Sequence, residues 1–348
     1  MIRKEGELGD CDFCKQKNAK CILPSKLTEH FRPLLEVFRP AERETPVSLD
    51  FPLYYYWGIF PQEMLISGAA TTLLDRIRPH TEPSPGEITF LDGYDGSLAE
   101  DSWCQKDEYR VYPIWKRFKK TVTDNNRHFV RNPSFFKYLD DICDNASVTF
   151  SKGKLIYRGR VVASNLKSEG YVGELLFPPP PSLASAGRAN VEGVPVFYGA
   201  EDEETVVSEL RPWLKASITV GEFKTLKDLR ILNFTHLLAF RCPFTNGDPR
   251  ETILRIQLMH QIDMAFSTPL SISDSLIGYV PTQFIASYAK HKHFDGIMYK
   301  SAMSSSGRNI ALFNFKDTVE VTQISHLKVN NIKYRTEDFI PKNLNFGK

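Results

Sequence analysis

The hydrophobic pattern of this chain changes after Ala146, and that change limits the fold more than any single motif. From about Ser25 to about Ser147 apolar residues recur at helical spacing between polar connectors. "EMLISGAATTLLDRI" puts Leu65, Ala69, Thr72, Leu73 and Ile77 on one stripe, which predicts a packed helix. "TEPSPGE" predicts a loop, and "PSFFKYLDDICDNA" a short amphipathic helix with Pro133 in its first turn. "YPIWKRFKKTVTDNNRHFVRN" mixes aromatics with Lys and Arg. No recognition motif accompanies it, so it is read as a helix with a basic flank and inward aromatics.

Beyond Ala146 short strands and helices alternate. "SVTFSKGKLIYRGRVV" reads as β-structure with a turn at "KG", and "VPVFYGA", "LKDLRILNFT", "DGIMYKS" and "NIALFNF" as further strands. The proline run Pro178–Pro181 favours a stiff extended approach. "EDEETVVSELRPWL" is a helix whose first-turn acids suit its dipole; "PRETILRIQLMHQIDMAF" and "VPTQFIASYAKHKHF" are two more. The alternation has no regular βαβ beat and no glycine-rich phosphate loop, which argues against a doubly wound nucleotide fold. The expected class is α+β, a mixed sheet preceded by a mainly helical region.

The 348 residues suffice for two domains and more than one core. A net charge of +2 gives no general drive toward nucleic acid or membrane, and no apolar run approaches a membrane span. The start "MIRKEGELGDC" lacks a secretory h-region, so the six cysteines predict a reducing, cytoplasmic setting. Cys11 and Cys14 form a Cys-x-x-Cys pair, the knuckle that offers two thiolates to one zinc ion. A closed site needs four ligands; Cys21, His30 and Cys104 are candidates among which the spacing does not choose. Reduced surface thiols remain the alternative.

Several residues could carry chemistry. Arg158 ends a strand, and Arg188 lies in the small-residue turn "SAGRAN", where a guanidinium can fork onto phosphate oxygens. Either arginine could equally clamp a loop through a salt bridge. Glu209 falls near the edge of a helix face formed by Val206, Val207 and Leu210, and a surface acid fits there too. Ser301 follows a strand and has no nucleophile elbow around it. His291 and His293 form a pair at a helix C-terminus, where they compensate the dipole or bind metal.

The order of these segments resembles the RES domain, named for Arg, Glu and Ser. The resemblance rests on "YRGR", "GELLFPPPPSLASAGRANVEGVPVFYGAEDEETVVSEL", "YVPTQFIASYAKHKHFDGIMYKS" and "GRNIALFNF", and runs from near Ser147 to near Thr322. Arg158, Glu209 and Ser301 match the three name residues. The resemblance implies an ADP-ribosyltransferase-like fold and a toxin or defence effector that consumes NAD as substrate. The nicotinamide–ribose bond would be cleaved with water or phosphate as acceptor, making a glycohydrolase or a phosphorylase. Its catalytic residues would be Arg158, Glu209 and Ser301, with Arg188 on the diphosphate and Tyr198 beside the nicotinamide. Transfer of ADP-ribose to a macromolecule, or a non-enzymatic RNA-binding or interaction role, are the competing readings. A cognate antitoxin or immunity protein and a homo-oligomer are the implied partners, with no membrane.

"GDCDFC" and the later "W…RHFV" resemble the helical extension that precedes RES domains in the HEPN/RES group. That group starts with two Cys-x-x-Cys pairs, whereas this chain shows one. The expected layout is a Cys-containing segment at 1–25, a helical domain at 26–146, the RES domain at 147–322 and a C-terminal extension at 323–348.

Overall fold

The structure, a computed structural model, describes residues 2–35, 49–77, 111–162, 170–235, 249–268, 276–304 and 306–333. The expected "TEPSPGE" loop and Cys104 lie outside these residues. A short helix α1 (Ile2–Glu5) leads into two antiparallel strands, β1 (Glu7–Gly9) and β2 (Ala19–Cys21). Helices follow: α2 (Thr28–Leu35), α3 (Asp50–Trp57), α4 (Gln62–Ile66), α5 (Ala69–Ile77), α6 (Val111–Lys120) and α7 (Pro133–Asn145).

Local chemistry explains the ends of these helices. Asn132 caps α7, its side-chain oxygen accepting the Phe135 N–H at 3.2 Å, with Pro133 in the first turn. The α7 stripe of Phe135, Tyr138, Leu139, Ile142 and Cys143 is buried, at the spacing a packed helix requires. The single helix expected around "EMLISGAATTLLDRI" is instead two, α4 and α5. Gly68, at φ 71°, takes a left-handed conformation that a continuing helix does not allow. The break rotates the inward face onto Met64, Ala70, Leu74 and Ile77, and Thr72 points to solvent. In α6 and the π-helical turn Thr121–Asn125 that continues it, Trp115, Phe118 and Val122 face inward while Arg117, Lys119 and Lys120 are exposed.

The second half supplies β3 (Ser147–Phe150), β4 (Leu155–Val161), β5 (Phe197–Ala200), α8 (Glu203–Leu210), β6 (Ser217–Thr225) and β7 (Leu229–Asn233). It continues with α9 (Pro249–Ser267), α10 (Val280–His291), β8 (Gly296–Lys300), β9 (Arg308–Leu312) and β10 (Val319–Lys328). The strands form one eight-stranded sheet in the order β10-β6-β4-β5-β9-β8-β7-β3. Every neighbouring pair is antiparallel except β7 with β8. This is an α+β fold with a mixed sheet, not a doubly wound one. The turn at Gly153 joins strands that are not neighbours. β3 lies at the sheet edge beside β7, while β4 sits between β6 and β5.

Alternation along β5 shows how the layers divide. Phe197 packs with Ile156, Leu176, Phe223 and Phe315 in one cluster, whose rings meet edge-on or tilted. The next residue, Tyr198, packs against a different cluster. That cluster joins the N-terminal helices to α9, α10 and the sheet residues Leu232, Ile297 and Tyr299. A third, small cluster seats α8 on the sheet through Val206, Ile218 and Val220.

Candidate active site

β4 pairs with β6 at seven positions, and β5 with β9 at four. Between β4 and β5 the ladder is reduced to the single pair Tyr157↔Ala200. A cavity of about 340 Å³ opens where these two strands part. Arg158, Arg188, Tyr198 and Glu209 all line it, together with Tyr279, Tyr299 and Asn309.

Arg158 stands at the parting of the strands. Its Nη1 donates to the Tyr198 carbonyl at 2.6 Å and its Nε to the Leu176 carbonyl at 2.7 Å, and the guanidinium lies over the Phe197 ring. The bond to Tyr198 crosses from β4 to β5 where the ladder is missing, and the bond to Leu176 ties the guanidinium to the segment before the proline run. Burial, with Arg160 beside it, pulls the Arg158 guanidinium down to about 9, so it keeps its charge at neutral pH. Among the described residues it has carbonyl partners and no carboxylate. A buried cation in that state suits an anionic ligand.

Arg188 sits on a turn closed by the Gly187 N–H donating to the Asn190 carbonyl. Tyr198 pins that turn, its hydroxyl donating to Asn190 Oδ1 at 2.7 Å and accepting the Ala189 N–H at 2.8 Å. Gln283 donates to the carbonyls of Gly187 and Asn190, both at 2.9 Å. A Cβ at Gly187 would lie 2.7 Å from the Tyr198 hydroxyl, so the close approach itself requires glycine. Burial raises the Tyr198 hydroxyl above the ordinary tyrosine value and keeps it a neutral donor. The Arg188 Nη1 donates to the Phe266 carbonyl at 2.8 Å, near the end of α9. Tyr299 is fully buried beside it, and burial pushes its hydroxyl up to about 12 against the opposing pull of Arg188.

Glu209 is carried by α8. Asp202 starts this helix, its Oδ1 accepting the Thr205 N–H at 2.7 Å, and Arg211 ends it in the left-handed region. Glu209 is therefore in the last turn, where the helix dipole disfavours a carboxylate. Its place is explained by its partners. Oε1 accepts from the Ser301 hydroxyl at 2.6 Å and from Asn309 Nδ2 at 2.8 Å. Ser301 also accepts the N–H groups of Met303 and Ser304, so its hydroxyl ties the loop after β8 to the carboxylate. Ser301 is buried and does not line the cavity. Oε2 of Glu209 has no hydrogen-bond partner among the described residues.

Asn309, Tyr279 and Tyr299 are cavity residues that reading the sequence did not single out. Asn309 stands in the quoted "GRNIALFNF" and Tyr299 in "DGIMYKS", but their inclusion depends on strand register. Register sets Asn309 opposite Ala200 on one side and Tyr299 on the other. Tyr279 precedes α10, and its sequence neighbourhood "YVPTQF" carries a helix-start signal and no chemical one.

The zinc site expected at Cys11 and Cys14 finds no support among the described residues. Cys11 and Cys14 lie between β1 and β2, and Cys21 directs its thiol to the carbonyls of Gly9 and Ala19, both at 3.6 Å. Among the described residues no group of three or more His, Cys, Asp and Glu is arranged to hold a metal ion. Cys11, Cys14 and Cys21 form no disulfide. His291 and His293 are both exposed, where α10 ends.

The RES domain family matches residues 167–332. That stretch of the chain is a RES domain, and it contains Arg188, Tyr198, Glu209, Ser301 and Asn309; Arg158 precedes the matched residues. No curated protein matches the chain. Among solved structures, the crystal structure of the M. tuberculosis MbcT–MbcA toxin–antitoxin complex contains a similar chain at 14% identity and a TM-score of 0.32. The alignment covers 55% of this chain and 92% of that one. Among the described residues no helix is long and apolar enough to cross a membrane.

Proposed function

We propose that the cavity binds NAD and cleaves its nicotinamide–ribose bond. The observation that carries this reading is the fixed carboxylate of Glu209 in one cavity with two guanidinium groups. Cleavage breaks the bond between C1′ and the ring nitrogen. The electron pair leaves with nicotinamide, which departs neutral, and positive charge builds on C1′ and the ribose oxygen. Oε2 of Glu209 faces that charge, and a preorganised carboxylate supplies several kcal/mol to such a transition state. Arg158 and Arg188 hold the two phosphates, and the tyrosine rings bound the planar leaving group. An oxygen of water or phosphate then bonds to C1′, water losing its proton in the process.

Such an activity depletes a central cofactor. It fits a toxin or defence effector restrained by a cognate antitoxin. The test is purified protein incubated with NAD, with and without phosphate, followed by identification of the products. Free ADP-ribose marks water as acceptor, and its 1-phosphate marks phosphate. Glu209→Gln keeps an oxygen for Ser301 and Asn309 while removing the charge, and should lower turnover by roughly a hundredfold or more. A wild type that leaves NAD intact, or a variant of unchanged turnover, would count against the reading.

A further inference from the structure

We infer that Asn309 is a positioning residue for this reaction: with Ser301 it fixes Oε1 of Glu209 and leaves Oε2 as the carboxylate oxygen offered to the substrate. The inference rests on the NAD-cleaving reading and extends it to a residue outside the three that name the family.

An ionised carboxylate has about four acceptor positions, two on each oxygen. Both donors converge on Oε1, from Asn309 at 2.8 Å and Ser301 at 2.6 Å. The two donors come from different elements, a strand and the loop after β8, so they set the rotation of the carboxylate as well as its place. Asn309 is well suited to this. It is 5% exposed, and its backbone is paired on both sides, with Ala200 of β5 and Tyr299 of β8. A side chain with two rotatable bonds, standing on an interior strand, loses little freedom in holding its geometry. Glu209 has three such bonds and stands one residue from the end of α8, so it needs that support. Ser301 does not line the cavity, and Asn309 commits an amide hydrogen to Oε1 of Glu209. Asn309 therefore acts through Glu209.

The test is a double-mutant cycle on NAD turnover and on thermal stability. Asn309→Asp is nearly isosteric and replaces the donor with an acceptor. It should lower kcat by roughly ten- to a hundredfold and leave KM within about twofold, because ground-state binding is made elsewhere. In a Glu209→Gln background Asn309→Asp should cause no further loss, since two residues acting through one group do not add. Losses that multiply, or a change confined to KM, would overturn the inference. Asn309→Ala, which introduces no new charge, covers the case in which Asn309→Asp does not fold. If the wild type does not consume NAD, the functional reading itself falls. The stability cycle between Asn309→Ala and Glu209→Ala, each of which removes the bond, then still decides the contact: coupled melting shifts show that Asn309 holds Glu209, and independent shifts show that it does not.

Discussion

An alanine at Gly159 would put its Cβ 2.6 Å from Val206 Cγ1 and 2.8 Å from Leu210 Cδ1, both on α8. Ordinary contact begins near 3.4 Å, so α8 must retreat from β4 by about 0.8 Å, or its side chains must repack. Glu209 neighbours Leu210 and moves with the helix. Lengthened by the same amount, its bonds of 2.6 and 2.8 Å to Ser301 and Asn309 would pass out of the useful range. Overpacking of this kind costs about 1–3 kcal/mol, and misplacing a reacting group by ~1 Å costs on the order of a hundredfold in rate. Gly159→Ala should therefore lower the melting temperature by several degrees and cut kcat for NAD consumption far more than stability alone explains. Adding Val206→Ala opens space for the new methyl and should return much of the lost turnover. The assay is NAD loss by purified wild type, Gly159→Ala and the double variant, with a thermal melt of each. Wild-type turnover in Gly159→Ala would mean that α8 does not set the carboxylate, and a double variant no better than the single would mean that crowding is not the cause.

Arg188→Ala should raise KM for NAD by about tenfold or more with kcat nearly unchanged, because a charge-assisted phosphate contact is made in ground and transition states alike; steady-state kinetics reads the split. Asp263, buried on α9 and accepting the Lys300 N–H at 2.9 Å, has its carboxyl raised by burial. A raised carboxyl means the folded state holds its proton more tightly than the unfolded one, so stability falls as pH rises from the ordinary value of 3.8 through the folded value. Asp263→Asn keeps the acceptor and removes the charge. Its melting temperature should gain on the wild type as pH rises above about 4, and a parallel pair of pH profiles would refute the assignment.

Much of the element order was legible because it depends on neighbours in sequence. Asn132-Pro133 starts α7, and the acids after Ala200 open α8. The break at Gly68 was missed because the apolar spacing of "EMLISGAATTLLDRI" runs through it; a glycine inside a helical pattern signals a stop only when its φ is known. Strand order was not legible at all. The chain passes from β3 to β4 through four residues, yet lays them at separate places in the sheet, because long-range pairing and not the turn decides adjacency. Asn309 escaped for the same reason. Its chemistry arises from facing Ala200 across a ladder whose register no local pattern specifies. Arg158, by contrast, could be selected from its segment, but that its guanidinium would take two carbonyls where β4 and β5 part could not.

That parting makes the sheet mechanically two blocks with a seam. Three strands, β10, β6 and β4, lie on one side, and five, from β5 to β3, on the other, stitched by Tyr157 and Ala200. Arg158 belongs to the first block, and Tyr198, Ser301 and Asn309 to the second. α8 straddles the seam, resting on β4 through Gly159 while its carboxylate is fastened to the far block through Ser301 and Asn309. The width of the cavity is then the width of the seam, and whatever pries or closes the blocks changes the spacing between cation and carboxylate in one movement.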